Sequence, residues 1–132
     1  MFKKKVKKIK LNRIKSRGSL MDIIEFKKFS IKRVFTLSKV PKNVTRGYHA
    51  HRFDSQIITV PHGKIQFQTY DGREKKNFII SNPNTAILVK PMVWTKTKYL
   101  EKNTVVVVYS NHKYNEKSYI RKLSEFKSLL KN

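Results

Sequence analysis

The stretch "KIQFQTYDGREKKNFII", residues 64–80, limits the fold more than any other. Ile65 and Phe67 alternate with polar residues, Asp71-Gly72 interrupts, and a second short run returns. A period of two sends alternate side chains to opposite faces of an extended strand. Asp-Gly between two such runs predicts a two-residue hairpin, because glycine accepts the positive φ the turn needs. Similar short runs fill the chain. "KVKKIKL" supports an edge strand, and "SLMDIIEF" follows the Arg17-Gly18 break. "IKRVFTLS" has Ile31, Val34 and Phe35 as its apolar members and stops at Pro41. "QIITVP", "TAILVKPMVW" and "NTVVVVYS" each read as one strand, with Asn82-Pro83-Asn84 as a loop. Short strands at intervals of roughly ten residues predict an all-β sandwich or small barrel.

Only the end changes period. From Glu116 onward, Tyr119, Leu123, Phe126 and Leu130 step by four, three and four, which is one face of a helix. The expectation is an amphipathic C-terminal helix that lays this stripe on the sheet. At 132 residues, 39% of them hydrophobic, the chain is expected to form one domain spanning 1–132. The longest aliphatic run, Val105 to Val108, is far too short to span a bilayer, and the basic N-terminus lacks the apolar block of a secretory signal. There is no cysteine, which excludes disulfides, thiolate nucleophiles and cysteine zinc sites. A soluble, cytoplasmic protein without a membrane partner is expected.

The formal charge of +23, from 31 Lys and Arg against 8 Asp and Glu, attracts anions of some kind. Nucleic acid is the second choice among them. Most of the cations are lysines spread through every segment, whereas base-reading and phosphate-gripping surfaces favour arginine. No patch interleaves cations with aromatics in the manner that stacks bases. A phosphorylated small molecule suits the chain better.

The chemistry concentrates in "TRGYHAHRFDSQ", residues 45–56. On a strand His49 and His51 point the same way and Ala50 the other way. If that face lines a barrel interior, two imidazoles enter one cavity. His-x-His, a polar residue at Gln56 and a glycine at Gly63 resemble the first motif of the cupin superfamily. In metal cupins a glutamate stands where this chain has Gln56, and a third histidine where it has Thr95. A neutral amide is a poor ligand for a borderline cation, so no metal is expected. Histidine titrates near neutral pH and serves as a general acid or base without one.

"RGSL" (17–20), "IKRVF" (31–35), "RGYHAH" (46–51), "PMVW" (91–94) and "YIRKLSEF" (119–126) together are similar to the dTDP-4-keto-6-deoxyglucose 3,4-ketoisomerases, in order and over nearly the whole chain. The resemblance implies a cupin or jelly-roll β-barrel, a homodimer exchanging N-terminal strands, and a dTDP-linked 4-keto-6-deoxy sugar as substrate. It implies no cofactor. It assigns catalysis to His49 and His51, with His51 preferred as the base at C3, and diphosphate contacts to Arg33, Arg46 and Arg17. Gln56 is expected to donate a hydrogen bond inside the barrel, and Trp94 to stack on a ring. Two departures fall near the expected cavity. Phe35-Thr36 lacks a tyrosine hydroxyl that many relatives carry, and Thr95 replaces a histidine. The alternatives are a non-catalytic cupin sugar-binding module and a basic nucleic-acid-binding barrel.

Overall fold

In the computed structural model, residues 4–15, 19–22 and 29–131 are described. The strands are β1 (Val6–Lys10), β2 (Asn12–Lys15), β3 (Ser19–Asp22), β4 (Arg33–Leu37), β5 (Thr45–His51), β6 (Gln56–His62), β7 (Ile65–Tyr70), β8 (Lys75–Ile80), β9 (Thr85–Val89), β10 (Trp94–Tyr99), β11 (Val105–Ser110) and β12 (Tyr119–Ile120). One helix follows, α1 (Leu123–Leu130). Two antiparallel five-stranded sheets run in the orders β1-β9-β6-β11-β4 and β12-β5-β10-β7-β8, and β2 pairs with β3 as a separate hairpin. This is the jelly-roll sandwich with a terminal helix that the sequence leads one to expect.

The alternation rule explains the core. Ile58 and Val60 of β6, Ile65 and Phe67 of β7, and Val106 and Val108 of β11 meet between the sheets with Ile87, Val93 and Tyr99. A side chain of this size contributes about 1.5–3 kcal/mol when fully buried. Outside the second sheet a smaller cluster forms, in which Ala50, Trp94 and Ile120 pack under Phe126 of α1.

Four expectations need correction. The Asp71-Gly72 turn joins β7 to β8, but Tyr70 pairs with Lys75, so four residues form it rather than two. Asp71 explains the length: one carboxylate oxygen accepts from the amides of both Arg73 and Glu74, at 2.9 and 2.8 Å. "TAILVKPMVW" is not one strand. β9 ends at Val89 in one sheet, and Trp94 opens β10 in the other. Pro91 cannot donate to a ladder, so the chain crosses over there.

In β4 the inward members are Phe35 and Leu37, while Val34 is 53% exposed. The true alternation counts Arg33 with Phe35 and leaves Val34 outside. Finally, the C-terminal helix begins at Leu123, not Glu116. Glu116–Ser118 is a single 3-10 turn capped by the Asn115 side chain, and Tyr119 and Ile120 are extended and pair with His51 and Ala50. Two residues of β pairing win over continuation of the helix because Ile120 is thereby buried completely.

Candidate active site

A cavity of about 580 Å³ opens between the sheets, a size that suits a small organic ligand. His49 and His51 project into it from β5, their ring centroids 4.9 Å apart and nearly perpendicular. Ala50 between them is wholly buried on the opposite face, under Phe126. The strand parity read from the sequence is therefore the observed one.

β5 contains one irregularity with a large consequence. Thr95 of β10 faces His49 but Lys96 faces Gly47, so Tyr48 is an extra residue in the ladder. Gly47 and Tyr48 both have positive φ, 102° and 56°. Arg46 and His49 are three residues apart, and unbroken alternation would put them on opposite faces. The bulge re-aims the strand. Arg46 then faces Thr97, and both line the same cavity as His49.

Tyr119 completes the histidine pair. Its ring lies 4.6 Å from that of His51 and 5.3 Å from that of His49. It belongs to β12, an edge strand, and Arg33 belongs to β4, the edge strand of the other sheet. Arg33 Nη1 lies 3.4 Å from the Tyr119 hydroxyl and donates to it. The Arg33 guanidinium also covers the Phe35 ring at 4.4 Å and the Tyr114 ring at 4.9 Å, which fixes it at the rim. Arg121 lies over the Tyr119 ring at 4.5 Å and lines the cavity, while its Nε and Nη2 each donate to Glu116 at 3.0 Å. That fork, reinforced by the Tyr114 hydroxyl on the same carboxylate, holds the Glu116 carboxyl down at about 2. Lys90 adds another cation to the wall.

Burial sets the state of the histidines. Desolvation is the main force lowering His49, partly opposed by a backbone hydrogen bond at Gly47, with the Arg121 charge lowering it further. His51 is pushed down to about 4, first by burial and then by the charge of His49; Asp54 opposes this, and Arg33 and Arg121 add to it. Both rings are consequently unprotonated at neutral pH and have a lone pair to offer. His51 Nε2 is buried without a partner, as is Gln56 Nε2, the amide donor beside it on the cavity wall. Buried polar atoms are normally paired, so these two are atoms to which a ligand can bond. Among the described residues no cluster of His, Cys, Asp and Glu could hold a metal ion.

Of the residues singled out from the sequence, His49, His51, Gln56 and Arg46 share the cavity, and Arg33 stands at its rim. Trp94 is separated from it. Its neighbours Val93 and Thr95 line the cavity, whereas Trp94 turns to the outer face and packs on Phe126, ring centroids 5.9 Å apart. Arg17 lies outside the described residues. Sequence reasoning missed Tyr119 and Arg121, because the stepping of the final segment hid them in a helix, and it missed Asp54. That residue's one signal was an acid three residues after His51 in a chain with eight acids in all.

The geometry can be set beside known proteins. The family described as "FdtA: WxcM-like, C-terminal" matches residues 4–131. The TDP-4-oxo-6-deoxy-alpha-D-glucose-3,4-oxoisomerase of Aneurinibacillus thermoaerophilus is 32% identical over 119 residues, 89% of this chain and 86% of its own. The sugar 3,4-ketoisomerase QdtA of Thermoanaerobacterium thermosaccharolyticum, solved with TDP, superposes with a TM-score of 0.90 at 29% identity, covering 96% of this chain and 95% of that one. A histidine-to-asparagine mutant of QdtA, solved with TDP-4-keto-6-deoxyglucose, gives 0.91 at 28% identity, with coverage of 98% and 96%. With a family match over nearly its whole length and a curated relative of this identity, the chain belongs to the dTDP-4-keto-6-deoxyglucose 3,4-ketoisomerase family of cupin-type proteins.

Proposed function

We propose that this protein is a metal-independent isomerase that moves the carbonyl of a dTDP-linked 4-keto-6-deoxy sugar from C4 to C3 through an enediol. The observation that carries the proposal is the pair of unprotonated imidazoles, His51 buried and His49 half-buried, in contact within one cavity lined by Arg46 and Arg121. Its relatives are TDP-sugar 3,4-ketoisomerases, and relatives have been solved with TDP and with the 4-keto sugar.

The reaction needs a base that takes the C3 proton. The C–H electron pair then forms the C3–C4 double bond, and the former C4 carbonyl oxygen accepts a proton. In the second half the C3 hydroxyl loses its proton to become the carbonyl, and C4 receives one. We assign the carbon steps to His51, whose Nε2 has no protein partner, and the oxygen steps to His49. Gln56 Nε2 and the Tyr119 hydroxyl steady the oxygen on which charge develops; preorganised donors in a dry site are worth most there. Arg46 binds the diphosphate, where a fork matches paired phosphate oxygens, and Arg121, its Nε and Nη2 held by Glu116, adds positive charge. The product is a 3-keto sugar nucleotide, which suits a 3-aminotransferase of bacterial surface-glycan synthesis. We also place the chain in the cytoplasm, as a single-domain homodimer.

Proton NMR of chelator-treated protein with dTDP-4-keto-6-deoxyglucose in deuterated buffer tests the reading. A 3-keto product deuterated at C4 supports it. An unchanged spectrum, also after metals are added, overturns it in favour of a sugar-binding module.

A further inference from the structure

Asp54 is an acid in a place where an acid is costly. It lies on the turn between β5 and β6, is 2% exposed, and lines the histidine cavity. Its two oxygens are each engaged by a serine. Ser118 Oγ donates to Oδ1 at 2.7 Å, and Ser110 Oγ lies 3.2 Å from Oδ2 and 3.1 Å from the His112 carbonyl oxygen, which share its one hydrogen. Among the described residues no arginine or lysine forms an ion pair with it, although the chain carries +23. Ser118 is committed to this bond, because its oxygen already accepts from the Phe53 amide, leaving its hydrogen for the carboxylate. An asparagine could serve two hydroxyls as tether. A buried charge without a cation is disfavoured relative to that neutral amide unless something nearby gains from it.

What gains is His51. The groups facing that ring are His49 on its own strand, Tyr119 from β12, Arg33 from β4, Arg121 beyond β12, and Asp54 from the following turn. Of these, Asp54 alone favours a proton on His51; His49, Arg33 and Arg121 all oppose it. Any base in this cavity must become cationic when it takes a proton, and it must do so among cations.

Resting on the isomerase reading above, we propose that Asp54, gripped by Ser118 and Ser110, is a positioning residue whose negative charge stabilises the His51 imidazolium formed when the ring removes a substrate proton. The action is through space, since both carboxylate oxygens are engaged by the serines. The proton resides on His51 until it is returned to carbon. The same grip ties the β5–β6 turn to Ser118, the residue before Tyr119, so one carboxylate also sets the backbone that carries the neighbouring ring.

The test is the titration of His51, followed by NMR in protein labelled at the histidine ring, with assignment by His51→Asn. It needs no turnover, so it stands whether or not the isomerase reading holds. Asp54→Asn keeps a side chain that can engage both serines and removes the charge. The His51 midpoint should fall by about one pH unit. In active protein the acid limb of kcat/KM should fall with it, while the plateau of kcat drops roughly tenfold. Ser118→Ala retains the charge and removes its firmest donor, so the midpoint should move the other way, upward. A midpoint unmoved in Asp54→Asn makes Asp54 a tether only and overturns the proposal. Should Asp54→Asn fail to fold, Ser118→Ala decides by itself: an upward shift supports the proposal, and an unmoved or lowered midpoint overturns it.

Discussion

The Tyr119 ring stands against His51 at 4.6 Å and 65°, and the two residues face each other across the β12–β5 ladder. The hydroxyl of Tyr119 is held by Arg33 from the opposite sheet. Its position depends on two edge strands, so it is an aligned group rather than a mobile one.

Tyr119→Phe removes only the hydroxyl and keeps the ring packing. We expect kcat to fall roughly tenfold to a hundredfold, the range of one preorganised donor, with the melting temperature nearly unchanged. Steady-state kinetics and calorimetry on the same preparation separate the two. A variant with wild-type kcat would remove Tyr119 from the chemistry.

Gly47 is where the bulge meets β10. A Cβ built there would lie 3.1 Å from the Thr95 carbonyl oxygen and 3.2 Å from the Lys96 Cα, both backbone atoms, and φ is +102°. Gly47→Ala should destabilise the protein by about 1–3 kcal/mol. It should also raise KM, because relief of the strain shifts the extra residue that lets Arg46 face the cavity. Denaturant unfolding reads the first effect and initial-rate kinetics the second. Loss of stability with unchanged KM would mean that the bulge does not position Arg46 for substrate.

The pH dependence of stability follows from the depressed histidines. In the folded chain His51 titrates at about 4, against 6.5 when unfolded, and His49 is also lowered. Between those values the unfolded state binds more protons, so stability rises with pH across the window. The contribution is fully present above about 6.5 and is lost as pH falls toward 4; each unit of difference corresponds to about 1.4 kcal/mol. Urea unfolding at several pH values should show this slope in the wild type and a flatter one in His51→Asn. An equal slope in both would place the burial effect elsewhere.

The sandwich was legible because alternation is a backbone property: β7 and β8 follow from Ile65, Phe67 and the Asp71-Gly72 turn. The histidine pair was legible for the same reason. What failed were the places where the local pattern is overridden. Strand parity alone could not place Arg46, which the resemblance named and which reaches the cavity through a bulge. Tyr119 fits a helical stripe with Leu123 and Phe126, yet Leu123 is 40% exposed and Tyr119 is on a strand. Trp94 lies next in sequence to two wall residues and on the wrong face by one. Asp54 is held by partners 56 and 64 residues away in the chain, a distance no local motif spans.

Gln56 offers a last test, of the proposal that the chemistry in this cavity needs no metal. It shares the wall with His49 and His51, and its amide nitrogen is buried and unpartnered. A carboxylate at this position would add an anionic oxygen ligand to two imidazoles, a set that suits zinc or cobalt with one position left open. Wild-type protein dialysed against chelator should keep its turnover, and added Co(II) should produce no visible ligand-field band. Gln56→Glu should gain such a band at stoichiometric Co(II), with loss of isomerase activity as the metal occupies the imidazole lone pairs needed for proton transfer. Wild-type activity that disappears on chelation and returns with metal would overturn the acid–base reading of the histidines. A Co(II) band already present in the wild type would show that two imidazoles are enough here, and that the amide at position 56 does not keep the metal out.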